Sequence, residues 1–172
     1  YALWNLLGSR VSKNNLENIR GIGWKNEKGS LILNEPEKVV PQENMDQDLP
    51  GYAWDLLPMK SKPLDLYRSH VWHGDFNENI RTPYAAIYTS LGCAFGCEFC
   101  MINILNRIDN SEGISSSNSR LMRFWSPEWV IKQFRILRDL GVSTIRISDE
   151  MFLLNQNYYV PILKQLVSEK FN

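Results

Sequence analysis

An α/β fold with parallel strands is predicted by three features of the chain. From Tyr84 onward a strand-like run, an amphipathic helix, a second strand-like run and a second helix follow in order, and parallel strands need such helical crossovers. Six of the eight prolines fall between Pro36 and Pro83, where little periodicity is sustained, so this stretch reads as a connecting segment. Ahead of it a short apolar helix and a hairpin belong to a different unit. The expected division is therefore a first unit over 1–34, a linker over 35–82, and a second unit over 83–172.

Each element has a local cause. Tyr1 to Leu7 is apolar enough for a short helix. Arg20–Trp24 and Ser30–Asn34 flank Asn26-Glu-Lys-Gly29, a turn sequence that joins two strands into a hairpin. In the linker the phrase Asp46-Gln-Asp-Leu-Pro-Gly-Tyr-Ala-Trp-Asp-Leu-Leu-Pro58 stands out, and Trp54, Leu56 and Leu57 are its natural hydrophobic anchors. Tyr84 to Ser90 is aromatic and β-branched and follows Pro83, as a buried strand does.

The stretch from Asn103 to Arg120 is a long polar loop, and loops of that length are functional or mobile. Arg120 and Arg123 close it, either as surface charges or as contacts for a carboxylate or phosphate. Ser126-Pro-Glu128 supplies an N-cap, a first-turn proline and a first-turn acid. The helix they start is expected to reach about Leu140. Val130, Ile131, Phe134, Ile136, Leu137 and Leu140 form its apolar side, Lys132, Arg135, Arg138 and Asp139 its wet side, and Gly141 ends it. Val142–Ser148 then reads as a strand with Ile145 and Ile147 on one face and Thr144, Arg146 and Ser148 on the other. A last helix is expected from about Gln156 to Lys170.

The chemistry lies in three cysteines, the chain's full complement, spaced C-x3-C-x2-C as Cys93, Cys97 and Cys100. Thiolates are soft ligands suited to iron–sulfur clusters, and one short loop can reach several irons of a cubane. With no fourth cysteine, one iron of a four-iron cluster would stay open to a small molecule. A disulfide framework requires an even number of cysteines. A structural zinc site requires a fourth ligand, and His70 or His73 would have to come from at least twenty residues upstream. Packing does not account for three cysteines on one loop beside Gly92 and Gly96. An iron–sulfur cluster and, behind it, zinc remain as the readings.

The run Pro83-Tyr-Ala-Ala-Ile-Tyr-Thr-Ser-Leu-Gly-Cys-Ala-Phe-Gly-Cys-Glu-Phe-Cys100 resembles the first strand and cluster loop of radical S-adenosylmethionine enzymes. The resemblance implies a partial (β/α) barrel of the radical SAM type, with function at the carboxyl ends of its strands. It also implies a four-iron, four-sulfur (4Fe-4S) cluster on Cys93, Cys97 and Cys100, with Phe99 in the aromatic position before the last ligand. S-adenosylmethionine would chelate the open iron and be cleaved reductively to start radical chemistry on a small-molecule or peptide substrate. Ser148-Asp-Glu150 resembles the acidic form of the segment that meets the methionyl ammonium in one branch, which makes Asp149 and Glu150 candidate cofactor contacts. As plain residues they read equally as acids solvating a loop or as a general acid–base pair.

Tyr52-Ala-Trp-Asp-Leu-Leu-Pro58 and Ile19-Arg-Gly-Ile-Gly-Trp24 resemble the linker and domain end of the branch that carries an N-terminal cobalamin-binding domain. Cobalamin and methyl transfer are what that resemblance implies. The chain departs from the branch in lacking its Asp-x-His-x-x-Gly signature, since His70 and His73 are spaced differently. A full β/α barrel takes about 200 residues or more, so a fragment is expected.

Composition sets limits on partners. Nineteen basic and nineteen acidic residues cancel, which removes the electrostatic basis for a nucleic-acid or anionic-membrane partner. No apolar run approaches the roughly 20 residues of a membrane span. Reduced cysteines point to the cytoplasm under low oxygen, and a reductively triggered cluster needs an electron donor such as flavodoxin or ferredoxin. The other function classes that use the same loop are a ferredoxin-like electron carrier and a zinc-stabilised binding module.

Overall fold

A computed structural model describes residues 1–9, 16–57, 84–97, 99–102 and 121–171. By contacts the chain forms two compact units, one of Tyr1–Pro41 with Gly92–Leu121, the other of Gln42–Leu91 with Met122–Asn172.

In the first unit, helix α1 spans Ala2–Ser9, and strands β1 (Gly23–Lys25) and β2 (Leu31–Leu33) pair antiparallel as the expected hairpin. The turn is set by Asn26, whose side-chain oxygen accepts from Lys28 and Ser30 amides at 3.0 and 2.9 Å, an Asx turn that Gly29 completes at φ +78°. Asn34 fastens the hairpin to the preceding turn. Its amide nitrogen donates to the carbonyls of Leu16 and Ile19, and its oxygen accepts from the Trp24 indole at 3.2 Å.

The second unit holds the parallel pair. Strand β3 (Tyr84–Ile87) lies beside β6 (Thr144–Ile147) with Ile87 opposite Ile147, and helix α3 (Pro127–Asp139) leads from one region to the other. The strand expected to run through Ser90 breaks after Ile87. Ser90–Leu91 forms a separate strand, β4, antiparallel to β5 (Arg123–Phe124). Among the described residues the strands do not close into a barrel; the architecture is mixed α/β with a parallel pair and flanking helices.

Helix α3 begins as its sequence dictates. Ser126 caps it, its hydroxyl accepting from the Trp129 amide at 3.1 Å, with Pro127 at the first position. Val130 and Leu137 are fully buried and Ile131 and Phe134 nearly so, while Gly141 at φ +82° ends the helix. Leu140, expected on the apolar side, is exposed, and Gln133 is buried in its place. Helix α4 (Gln156–Ser168) packs beside α3 and buries Tyr158 and Ile162.

Residues 42–57, from the segment read as a linker, are built into this second unit, where short helix α2 (Met45–Asp48) buries Met45. Three indoles hold them: Trp125 donates to the Leu49 carbonyl at 2.8 Å, Trp129 to the Pro50 carbonyl at 3.1 Å, and Trp54 to the Gln133 side chain at 3.2 Å. Gln42 meets both backbone groups of Phe124, donating at 2.9 Å and accepting at 2.8 Å, and so serves β5 as a strand would. Of the three expected anchors Trp54 is buried, Leu57 half-buried and Leu56 exposed.

Candidate functional site

The break after Ile87 has a visible cause. The Ser148 amide donates to the Ile87 carbonyl at 2.8 Å as the last bond of the parallel ladder, and beyond it the Thr89 amide turns to Asp149. One residue further on, the Asp149 carboxylate collects three donors: the Thr89 amide on one oxygen, and the Thr89 and Ser90 hydroxyls on the other, each at 2.6 Å. The Thr89 carbonyl takes two more, from the Trp125 amide at 3.1 Å and the Tyr158 hydroxyl at 2.7 Å. Thr89 and Ser90 are wholly buried, so these bonds satisfy groups that water does not reach.

Two tyrosines flank this network. Tyr52, whose oxygen accepts from the Tyr88 amide at 2.8 Å, has its phenol pKa raised, chiefly by burial and further by the Asp149 charge. Burial also raises the Tyr158 phenol strongly, so it remains a neutral donor. Arg123 is buried on β5 with its pKa lowered by desolvation, which corrects the surface-charge reading of that residue. Arg146 is exposed.

The cysteines lie in the first unit, on the loop entered at Gly92 with φ +93°, a conformation glycine adopts without steric cost. All three are free thiols, with Cys93 and Cys100 half-buried and Cys97 exposed. The Phe95 amide points at the Cys93 sulfur at 3.5 Å, and the Cys100 amide bonds the Cys97 carbonyl at 3.0 Å. Among the described residues no three His, Cys, Asp or Glu side chains converge on one point as a mononuclear metal requires. Three thiols on one short loop are, as donor chemistry, the kind an iron–sulfur cluster takes.

The sequence-predicted residues thus separate by environment. Asp149 is tied into the strand ends, whereas Glu150 beside it is exposed. Phe99 is 89% exposed, so its ring is spread on the surface instead of packed in a core. His70, His73 and the polar loop from Asn103 to Arg120 lie outside the described residues. Sequence reasoning missed Thr89, Ser90, Tyr158 and Tyr52. The available signal was a Thr-Ser pair at the end of an otherwise apolar strand, since buried hydroxyls require a partner elsewhere.

Among the described residues no helix is long and apolar enough to cross a membrane. No family model matches the chain. An uncharacterized methyltransferase of Pyrococcus horikoshii is 29% identical over 158 residues, covering 90% of this chain and 27% of that protein. Two solved structures of OxsB, a cobalamin-dependent S-adenosylmethionine radical enzyme, match 99% of this chain at 22% identity. The one with aqua-cobalamin and S-adenosylmethionine bound gives a TM-score of 0.61, and the one with aqua-cobalamin alone 0.62. The chain spans 20% of OxsB and 27% of the methyltransferase, and it shares the fold of the matched segment of OxsB.

Proposed function

We propose that this chain is the N-terminal part of the catalytic domain of a radical S-adenosylmethionine enzyme, from 83 to 172, preceded by a linker over 35–82 and the end of an upstream cobalamin-binding-like domain over 1–34. Strands β3 and β6 are then the first two strands of its barrel, with α3 and α4 as their helices. The observation that carries the reading is the loop of three free thiols with no fourth cysteine in the chain. Cys93, Cys97 and Cys100 hold a four-iron, four-sulfur cluster through their sulfurs. When bound, that cluster supplies the electron that breaks the sulfonium bond of S-adenosylmethionine.

The chain's own groups prepare for this in distinct ways. The Phe95 amide donates toward the Cys93 sulfur, and bonds of this kind tune a cluster's potential. Phe99, exposed between two ligands, offers an apolar ring to the nucleoside side of S-adenosylmethionine. Asp149 and Glu150 supply carboxylates toward the methionyl ammonium. Glu150 is exposed, while Asp149 already accepts three bonds of the four or so a carboxylate takes, so Glu150 makes the principal contact. The relatives, a methyltransferase and a cobalamin-dependent enzyme, support methyl transfer with cobalamin held largely by another region of the protein.

The test is anaerobic reconstitution of the full protein with iron and sulfide. Broad absorption near roughly 400 nm, from thiolate and sulfide charge transfer, that changes on adding S-adenosylmethionine supports the reading. A colourless protein holding one zinc refutes it in favour of a zinc-stabilised module. A cluster indifferent to S-adenosylmethionine leaves an electron carrier instead.

A further inference from the structure

We propose that Asp149 is a positioning residue for the cysteine loop, acting through Thr89 and Ser90, an inference that rests on reading that loop as the cluster ligand. Two residues, Leu91 and Gly92, separate Ser90 from Cys93, so the first ligand stands within about 10 Å of a fixed point along the backbone. That point is fixed tightly. Thr89 and Ser90 are wholly buried, and both hydroxyls and the Thr89 amide end on the Asp149 carboxylate. The Thr89 carbonyl is held from the other side by the Tyr158 hydroxyl and the Trp125 amide.

Asp149 is itself fixed, two residues beyond β6, whose register with β3 aligns Ile147 with Ile87. A carboxylate suits this task because three donors converge on it, and only an ionised acid accepts from all three without a donor of its own in the way. The chain then turns at Gly92 and enters the ligand loop. Asp149 thereby links the two parallel strands to the place where the loop departs, and the ammonium contact falls to its neighbour.

The full protein, reconstituted anaerobically, tests this in D149N, S90A, Y158F and E150Q variants. The readouts are iron retained after gel filtration, the g-values of the reduced cluster and its reduction potential. Loss of an outer hydrogen-bonding partner commonly weakens metal binding about tenfold or more. D149N is expected to retain iron about tenfold less tightly and to shift the g-values, with S90A and Y158F following in the same direction to a smaller extent. E150Q is expected to match the parent protein in iron and g-values and to lose only the response to S-adenosylmethionine. If D149N fails to fold, S90A and Y158F carry the comparison, since each removes one bond. D149N with parental iron, g-values and potential but a weaker S-adenosylmethionine response overturns the proposal and makes Asp149 a cofactor ligand. A parent protein that takes up no iron overturns the cluster reading itself, an outcome recognised by its independence of every substitution.

Discussion

Replacing Gly51 with alanine puts the packing of residues 42–57 to a quantitative test. Gly51 has φ +130°, where a side chain is strained, and a Cβ built there lies 2.6 Å from the Gln133 amide nitrogen and 3.3 Å from its carbonyl carbon. A flexible glutamine would ordinarily swing aside. Here Gln133 is only 2% exposed and its oxygen accepts the Trp54 indole, so moving it strands a buried donor. Backbone strain contributes about 1–3 kcal/mol and the lost buried bond about 1–3 kcal/mol, so G51A should destabilise the unit by about 2–6 kcal/mol.

Gly141 provides the control in the same unit. Its φ is +82°, but nothing lies within 4 Å of a Cβ there, so G141A bears the backbone cost of about 1–2 kcal/mol and no clash. Urea unfolding followed by tryptophan fluorescence compares the two, and Q133A combined with G51A should cost less than the sum of the single changes, because removing the amide opens the space. Equal midpoints for G51A and G141A, or strict additivity with Q133A, would refute the reasoning.

Other expectations follow from single contacts. W54F leaves the Gln133 oxygen buried without its donor and should cost about 1–3 kcal/mol by urea midpoint, while W54F/Q133L, which removes both polar partners, should recover most of that loss. Glu169 accepts from Arg135 and Gln165, and these bonds hold its carboxyl down from 4.5 to about 2. Because its folded pKa is depressed, its contribution is present above about pH 4.5 and fades as pH falls toward 2, so the gap in melting temperature between the parent and E169Q should shrink over that window and also with added salt. Lys170 has φ +55° at the end of α4, and K170G should raise stability by about 1 kcal/mol, since glycine takes the left-handed conformation without strain. An unchanged or lower midpoint for K170G would count against the strain assigned there.

Local signals carried the sequence reading where structure is local. The Ser126 cap, Pro127 and Gly141 bounded α3 because caps and turns depend on neighbouring residues, and Asn26 to Gly29 marked the hairpin for the same reason. The parallel pairing of β3 with β6 followed from the helix between them. What escaped was long-range. Thr89 and Asp149 meet across 60 positions and Trp54 and Gln133 across 79, and no periodicity announces such pairs. Gln133 belonged to neither face of α3 in the sequence pattern, and its burial follows from its distant indole partner. The strand through Ser90 looked continuous because its composition was uniform, and it broke where the Thr89 amide turned from the ladder to the Asp149 carboxylate. At the candidate site the cysteine spacing was legible because ligands of one cluster cluster in sequence; the fastening behind them was not.

The most direct measurement of the central claim is 5′-deoxyadenosine released when the iron-loaded full protein is mixed with S-adenosylmethionine and a strong reductant under anaerobic conditions. The account predicts nucleoside from the parent protein and none above background from C93S, C97S or C100S taken singly. Nucleoside formed at the parental rate by any one of those three variants, or none formed by an iron-loaded parent, would contradict it.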